Sequence, residues 1–336
     1  MGFLKGTIFF SHFSLGKLNL NEIFALRANG HSIGTSKTYG QGISHFIRYT
    51  NIYSITTMDF AVLQGFLAYL VHDLRLVFST VRTYMFAVRD WAIESGFSDP
   101  AKSSPETSHL FKKIMKGAQR VCRSSKFSRL PLTKSHIRDI LLVLDRCDFS
   151  VEDARMFSAA LLMGYFGLLR ASEYLRSSTN NSSFLRVKDV KFICSTCSTK
   201  PERMKLRLRK TKTRQFECTY VNIFSQDSVY CPVIMLQKYL ANRILGTDSP
   251  LFCFARAPVF VKDFNAMLKH ALKIAGYDPL KFSSHSLRSG GATIAADANV
   301  PSWTIKSMGR WKSNSYLTYI KQDVSVMRRA QSLIRI

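Results

Sequence analysis

Two arginines, a glutamate, a histidine and a tyrosine, spread over three short stretches of this 336-residue chain, are the residues best suited to chemistry. In GYFGLLRASEYL, Arg170 closes an apolar run and Glu173 follows three residues later. In SSHSLRSGGATIAADA, His285 and Arg288 stand one helical turn apart and so share a face. MGRWKSNSYLTYI carries Tyr319, with Tyr316 three residues before it. Guanidiniums stay protonated and donate in a fork, which suits negatively charged oxygens. Imidazole moves protons near neutral pH, and an activated phenol is a nucleophile. Taken singly, each stretch also has an ordinary structural account. Arg170 can pair locally with Glu173, His285 can begin a helix, and an aromatic near the C-terminus can pack in a core.

The chain around them is 46% apolar, 12% aromatic and 21% charged, a folded composition long enough for two domains. It holds 48 Lys and Arg against 22 Asp and Glu, a formal net charge of +26. Both halves share that excess, which needs a polyanion or a membrane surface to neutralise it. A folded, aromatic-rich basic chain points first to nucleic acid. No run approaches a membrane span, and the opening Gly2–Phe13 stretch lacks a cleavage-type ending, so secretion is not expected. Seven irregularly spaced cysteines do not form a disulfide framework and place the chain in a reducing compartment. Cys194-Ser-Thr-Cys197, with Cys218 and Cys231, invites a zinc reading, but only one C-x-x-C exists and ordinary loop cysteines are preferred.

The first half reads as helical throughout. Ser36 is placed to cap a helix with Tyr39, Ile43, Phe46 and Ile47 inward, and Lys37, Gln41, Ser44 and Arg48 on the opposite face. Asp59–Leu76 reads as a largely buried helix. Another starts after Ser79, with Val81, Tyr84, Met85, Val88 and Trp91 inward, Arg82 and Arg89 sharing its outer face, and Gly96 as its stop. Basic outer faces of this kind are either solvated surface or a surface turned to DNA. Arg123-Ser-Ser-Lys-Phe-Ser-Arg129 leads into Leu130-Pro131 and reads as an exposed basic linker. There is no internal repeat.

The second half opens with Thr133 as the N-cap of a helix through Leu144, then a helical run over 154–175. Strands are predicted over Phe184–Ile193, Arg203–Arg209 and Phe216–Phe224. The middle one alternates strictly, Met204, Leu206 and Leu208 against Arg203, Lys205, Arg207 and Arg209. Arg203–Arg214 concentrates seven positive charges in twelve residues, more than protection of a sheet edge requires. Helices return after Val233.

In this order, with a basic hairpin between the first two stretches, the motifs resemble the tyrosine recombinase/integrase family over about residues 21 to 325. The His-x-x-Arg pair with its Gly-Ala sequel and the ten-residue interval from Gly309 to Tyr319 carry most of the likeness. The resemblance implies a mainly α chain with an α+β catalytic domain. Its parts would be an N-terminal arm over 1–20, a helical SAM-like core-binding domain over 21–122, a linker over 123–131 and a catalytic domain with a small antiparallel sheet over 132–336. It implies DNA cleavage and rejoining through a 3′-phosphotyrosine, without cofactor or metal. Arg170 and Arg288 would hold the phosphate. Lys212, or else Lys210, would protonate the leaving 5′-oxygen, and His285 would assist proton transfer. Glu173 would support the architecture, and Tyr319, rather than Tyr316, would be the nucleophile.

Gly309-Arg310-Trp311 departs from the common Gly-His wording of the family, so Trp311 takes the second-histidine role with Arg310 supporting, in a register open by one residue. The wording is most similar to recombinases of eukaryotic mobile elements, of the DIRS and Crypton types. Lys37, Arg48, Arg82, Arg89, Arg207, Arg209 and Lys210 are expected on double-stranded DNA. A homotetramer on paired sites is implied, inside the cell and in the nucleus of a eukaryotic host. The tail Lys321–Ile336 shows an apolar stripe, which either packs on its own domain or docks on a neighbouring protomer. A catalytically inactive DNA-binding descendant and a type IB topoisomerase-like enzyme are the alternatives.

Overall fold

The structure is a computed structural model that describes residues 30–122, 129–178, 184–194, 200–209, 218–241, 243, 246–254, 257–320 and 331–332. Lys210, Lys212, the arm over 1–20, most of the linker and nearly all of the tail after Tyr319 lie outside the described residues. The chain divides into two compact units, Met1–Lys126 and Phe127–Ile336.

The described part of the first unit is helical. Helix α1 spans Ile33–Ile52, α2 Phe60–Ala68, α3 Phe78–Glu94 and α4 Pro105–Val121. Helix α1 is capped four residues before Ser36, because Ser32 supplies the capping oxygen, accepting from the Thr35 backbone N–H. Asp59 caps α2 in the same way, and a π-helical turn over Tyr69–Asp73 continues it. Phe46, Leu63, Phe66, Leu70, Val81, Met85 and Val88 form the core. Ile47, expected inward, is exposed, one residue round the helix from that stripe.

The second unit starts with α5, Lys134–Leu142, capped by Thr133, and α6, Val151–Phe166. The expected run to residue 175 is broken. Gly167 ends α6, Leu168 adopts φ +45°, and the short α7, Ala171–Tyr174, begins after Arg170. Strands β1, Val190–Cys194, β2, Pro201–Leu208, and β3, Thr219–Phe224, pair antiparallel in that order. The first is shorter than predicted because Val187–Asp189 forms a 3-10 turn. Met204, Leu206 and Leu208 are buried as their alternation predicts. Helix α8 spans Pro232–Ala241, and a two-stranded ribbon follows, β4 (Cys253–Phe254) with β5 (Ala257–Pro258), where only helix was expected. Helices α9, Val261–Ile274, α10, Ser284–Asp297, and α11, Ser302–Met308, complete the unit, with a 3-10 turn over Asn314–Thr318.

Phe157, Leu161, Leu206, Phe264, Leu268 and Leu287 lie in one continuous core. The backbone at Leu130–Leu132 runs against α10, where Leu132 N–H donates to the Ser286 carbonyl at 3.0 Å. A Cβ on Gly290 would collide with the Leu132 carbonyl, so glycine is what lets this segment reach the helix. A smaller cluster of Leu168, Ala292, Ile305, Trp311 and Tyr316 supports the last turn.

Candidate active site

Helix α10 places His285 and Arg288 on one face, as their spacing predicts. Ser283 caps the helix, its Oγ accepting from the His285 N–H at 3.3 Å. Arg288 is completely buried. Its Nη1 donates to the Leu168 carbonyl and its Nη2 to the Gly309 carbonyl at 2.5 Å. Its guanidinium lies 4.1 Å from the centre of the Trp311 ring and 5.5 Å from that of Tyr319. Burial, with Arg170 and Arg310 close by, lowers its pKa to about 9, which leaves it charged at neutral pH.

The break between α6 and α7 brings in Arg170, whose Nη1 donates to Glu173 Oε1 at 2.8 Å while its backbone N–H donates to Oε2 at 2.9 Å. The carboxylate of Glu173 is enclosed and also accepts from Arg310 Nη2 at 2.8 Å. Two guanidiniums thus share one carboxylate with Arg288 close by, a local excess of positive charge.

Arg310 directs its other donations to the carbonyls of Gly167 (3.2 Å), Leu168 (3.1 Å) and Met308 (2.9 Å). Its backbone has φ +58°, a strained value for a side chain with a Cβ. That turn lets Trp311 fold back over Gly309, where any Cβ would strike the indole. Three enclosed donors of the cluster have no partner, Trp311 Nε1, Arg288 Nε and Arg310 Nε. Buried polar groups are normally satisfied, so these three are unspent capacity beside the cluster.

Tyr319 caps the last 3-10 turn, half-buried, with its ring 5.0 Å from His285 and 5.2 Å from Trp311. Ser289 Oγ donates to its carbonyl at 2.6 Å and Thr293 Oγ1 at 3.3 Å, which ties the turn to α10. Tyr316 instead packs into the small cluster, 8% exposed. His285 reaches solvent, yet surrounding protein and the charges of Arg288, Arg129 and Arg170 hold its pKa below the usual value. Its imidazole is therefore neutral at pH 7.

Arg170, Glu173, His285, Arg288, Arg310, Trp311 and Tyr319 therefore meet at one place. The Leu168 carbonyl, Ser289 and Thr293 also belong to it. Sequence reasoning missed these three, and a backbone carbonyl leaves no side-chain signal to find.

The basic faces separate more sharply. Lys37 and Arg48 on α1 and Arg82 on α3 are exposed. Arg89, expected on the same outer face, is buried. Its Nε and Nη2 bind the Asp99 carboxylate at 3.0 and 2.6 Å, and its guanidinium stacks 4.8 Å from the Phe111 ring, because the chain after α3 folds back over it. Helix α4 presents a face that sequence reasoning passed over, with Lys112, Lys113, Lys116 and Arg120 exposed. Arg207 on β2 and Arg209 just beyond it both bind the buried Asp189. Cys194 and Cys218 are exposed, and Cys231 is buried.

No family profile matches the sequence, and no curated protein matches it. Solved structures do. One is the XerH site-specific recombinase in a post-cleavage complex on palindromic difH substrate, at 15% identity and TM-score 0.62, covering 93% of this chain and 83% of that one. The Tn1549 transposon integrase with circular intermediate DNA matches at 14% identity and TM-score 0.57, over 92% and 97%. A lambda integrase dimer on a core site matches at 15% and 0.54, over 90% and 75%. At such identities the likeness is one of fold, and the fold of this chain, a helical unit followed by a mixed unit with a small antiparallel sheet, is that of the tyrosine recombinases and integrases.

Proposed function

We propose that the chain cuts and rejoins duplex DNA as a tyrosine-type recombinase or integrase. The observation that carries this reading is the gathering of three guanidiniums, two of them sharing one carboxylate, beside a phenol and a neutral imidazole. Such a site suits a phosphodiester, whose transition state concentrates charge on its non-bridging oxygens. Arg170 and the unspent N–H groups of Arg288 and Trp311 supply donors for those oxygens. Both terminal nitrogens of Arg310 are committed to Glu173 and three carbonyls and only its Nε is left over, so Trp311 takes the second-histidine role with Arg310 supporting.

Tyr319 Oη forms the new bond to phosphorus, its proton passing to His285. The P–O5′ bond breaks, and Lys212, or else Lys210, protonates the departing 5′-oxygen. The phosphotyrosine conserves the bond energy, so rejoining runs the same steps in reverse with a 5′-hydroxyl as nucleophile. Because Trp311 and Tyr319 cover Arg288, both rings shift when a phosphate enters. The Gly309-Arg310-Trp311 wording supports an origin in a mobile element of the DIRS or Crypton type. The reading includes a homotetramer on paired sites, acting inside the cell and in the nucleus of a eukaryotic host.

The test is a nicked duplex, drawn from a randomised library by its binding to the chain. It should trap a covalent protein–DNA adduct and release a free 5′-hydroxyl. Tyr319→Phe should abolish the adduct and keep DNA affinity, while Tyr316→Phe should keep both. Binding without any adduct would sink the catalytic reading and leave a DNA-binding descendant. Relaxation of supercoils without strand exchange would mark a topoisomerase-like enzyme.

A further inference from the structure

We infer that Asp189 is a positioning residue for DNA cleavage, holding the strand arm that leads to the general-acid lysine; the inference rests on the function proposed above. Asp189 ends the 3-10 turn that precedes β1, and its carboxylate has no exposed surface. Oδ2 accepts from the Arg186 backbone N–H at 3.0 Å, which closes the turn. The remaining acceptor capacity goes to Arg207 on β2 and to Arg209 just beyond it. Arg207 donates to Oδ1 through Nε at 3.1 Å and Nη2 at 3.0 Å, and Arg209 Nε lies 3.1 Å from both oxygens.

One guanidinium is enough to neutralise a buried carboxylate, so the second requires its own account. Its position supplies one. The β2–β3 ladder ends at the pair Leu208 and Thr219. Arg209 is the first residue beyond it, where strand pairing no longer holds the chain, and its bond to Asp189 replaces that hold. Lys210 follows directly and Lys212 three residues later. A general acid must come within hydrogen-bond reach of the oxygen it protonates, and a displacement of about 1 Å can cost ~10²-fold in rate. Arg207 and Arg209, which the sequence offers as phosphate contacts, are thereby given a second task. They tether the base of the hairpin to an element outside it.

A positioning role makes a demand that general structural support does not. The defect must concern the leaving group. The probe is the library-selected nicked duplex in two forms, with the ordinary 5′-oxygen or with sulfur at the bridging 5′ position of the scissile phosphate, since a thiolate departs without a proton. Asp189→Asn should slow adduct formation about 10²-fold on the oxygen duplex and restore nearly the unaltered rate on the sulfur duplex, as Lys212→Ala should. Arg209→Gln, which leaves the turn cap and the Arg207 pair in place, should show the same pattern and decides the matter if Asp189→Asn does not fold. Arg170→Ala, acting on non-bridging oxygens, should be slow on both. Equal losses on the two duplexes for Arg209→Gln, or no loss, overturn the inference and leave the function standing. No adduct from the unaltered chain on either duplex overturns the function, and the inference with it.

Discussion

Arg288 lies against the face of Trp311, its guanidinium carbon 4.1 Å from the ring centre, and the ring helps to seal it from solvent. The indole thus has two separable tasks, covering a buried cation and offering an unspent N–H.

Trp311→Phe keeps an aromatic cover and deletes only the donor. Adduct formation should fall about 10²-fold, the scale of losing one preorganised donor, with the melting temperature nearly unchanged. Trp311→Ala should instead destabilise the second unit by about 3–5 kcal/mol, the range for removing a large buried aromatic. Thermal unfolding separates the two, and a Trp311→Phe variant of full activity would return the role to Arg310.

Arg82 and Arg89, seven residues apart on α3, should behave oppositely. Arg89→Ala leaves Asp99 without its buried partner and should cost the first unit about 3–5 kcal/mol, read by denaturant unfolding. Arg82→Ala should leave stability alone and weaken DNA binding, lowering the slope of log K against log salt by about 0.9 for one lost phosphate contact. An Arg89→Ala variant of unchanged stability and reduced DNA affinity would contradict the burial described here.

Gly290→Ala should destabilise the second unit by about 1–3 kcal/mol or more, the cost of forcing atoms into a filled site. The new methyl meets the Leu132 backbone, which cannot rotate away as a side chain can. Differential scanning calorimetry should show the loss, while Gly96→Ala, at φ +88° with open space around it, should show only a backbone effect.

Acid should weaken the second unit through two histidines. Burial lowers His136, with Asp139 opposing it, and burial with nearby arginines lowers His285, both from 6.5. The unfolded chain then takes up these protons first as pH falls. Their contribution is full above about pH 6.5, declines below it, and levels off beneath the folded-state values. Melting temperatures between pH 7.5 and 5 should show the decline, and replacing both residues by Gln should flatten it. A curve that stays as steep in the double variant would assign the acid sensitivity elsewhere.

Several elements were legible because their signal is local. Thr133 caps its helix where its side chain predicts, and the alternation over 203–209 puts Met204, Leu206 and Leu208 inward. The elements misplaced were those with competing local signals. Ser32 and Ser36 are both capping residues, and only the packing of α1 chooses between them. The apolar run through 154–175 hides a break, because Leu168 accepts an unfavourable φ in return for contacts that its own neighbours do not provide. The stretch 184–193 is rich in strand-forming residues, yet Asp189 closes a turn within it.

By itself, then, the sequence determined the residue types of the candidate site, their order, the shared face of His285 and Arg288, and the basic character of both units. Those follow from side-chain chemistry and from the 3.6- and 2-residue periods, which act over a few positions. Tertiary structure alone decided that Arg89 is buried, that Tyr316 packs with Leu168 and Ile305 in the small cluster, and that Arg310 braces Glu173. Each of these depends on a partner that local periodicity cannot specify. Arg310 meets Glu173 across 137 residues and Arg288 meets Leu168 across 120, contacts that exist only once separate helices have packed and their buried charges have found acceptors.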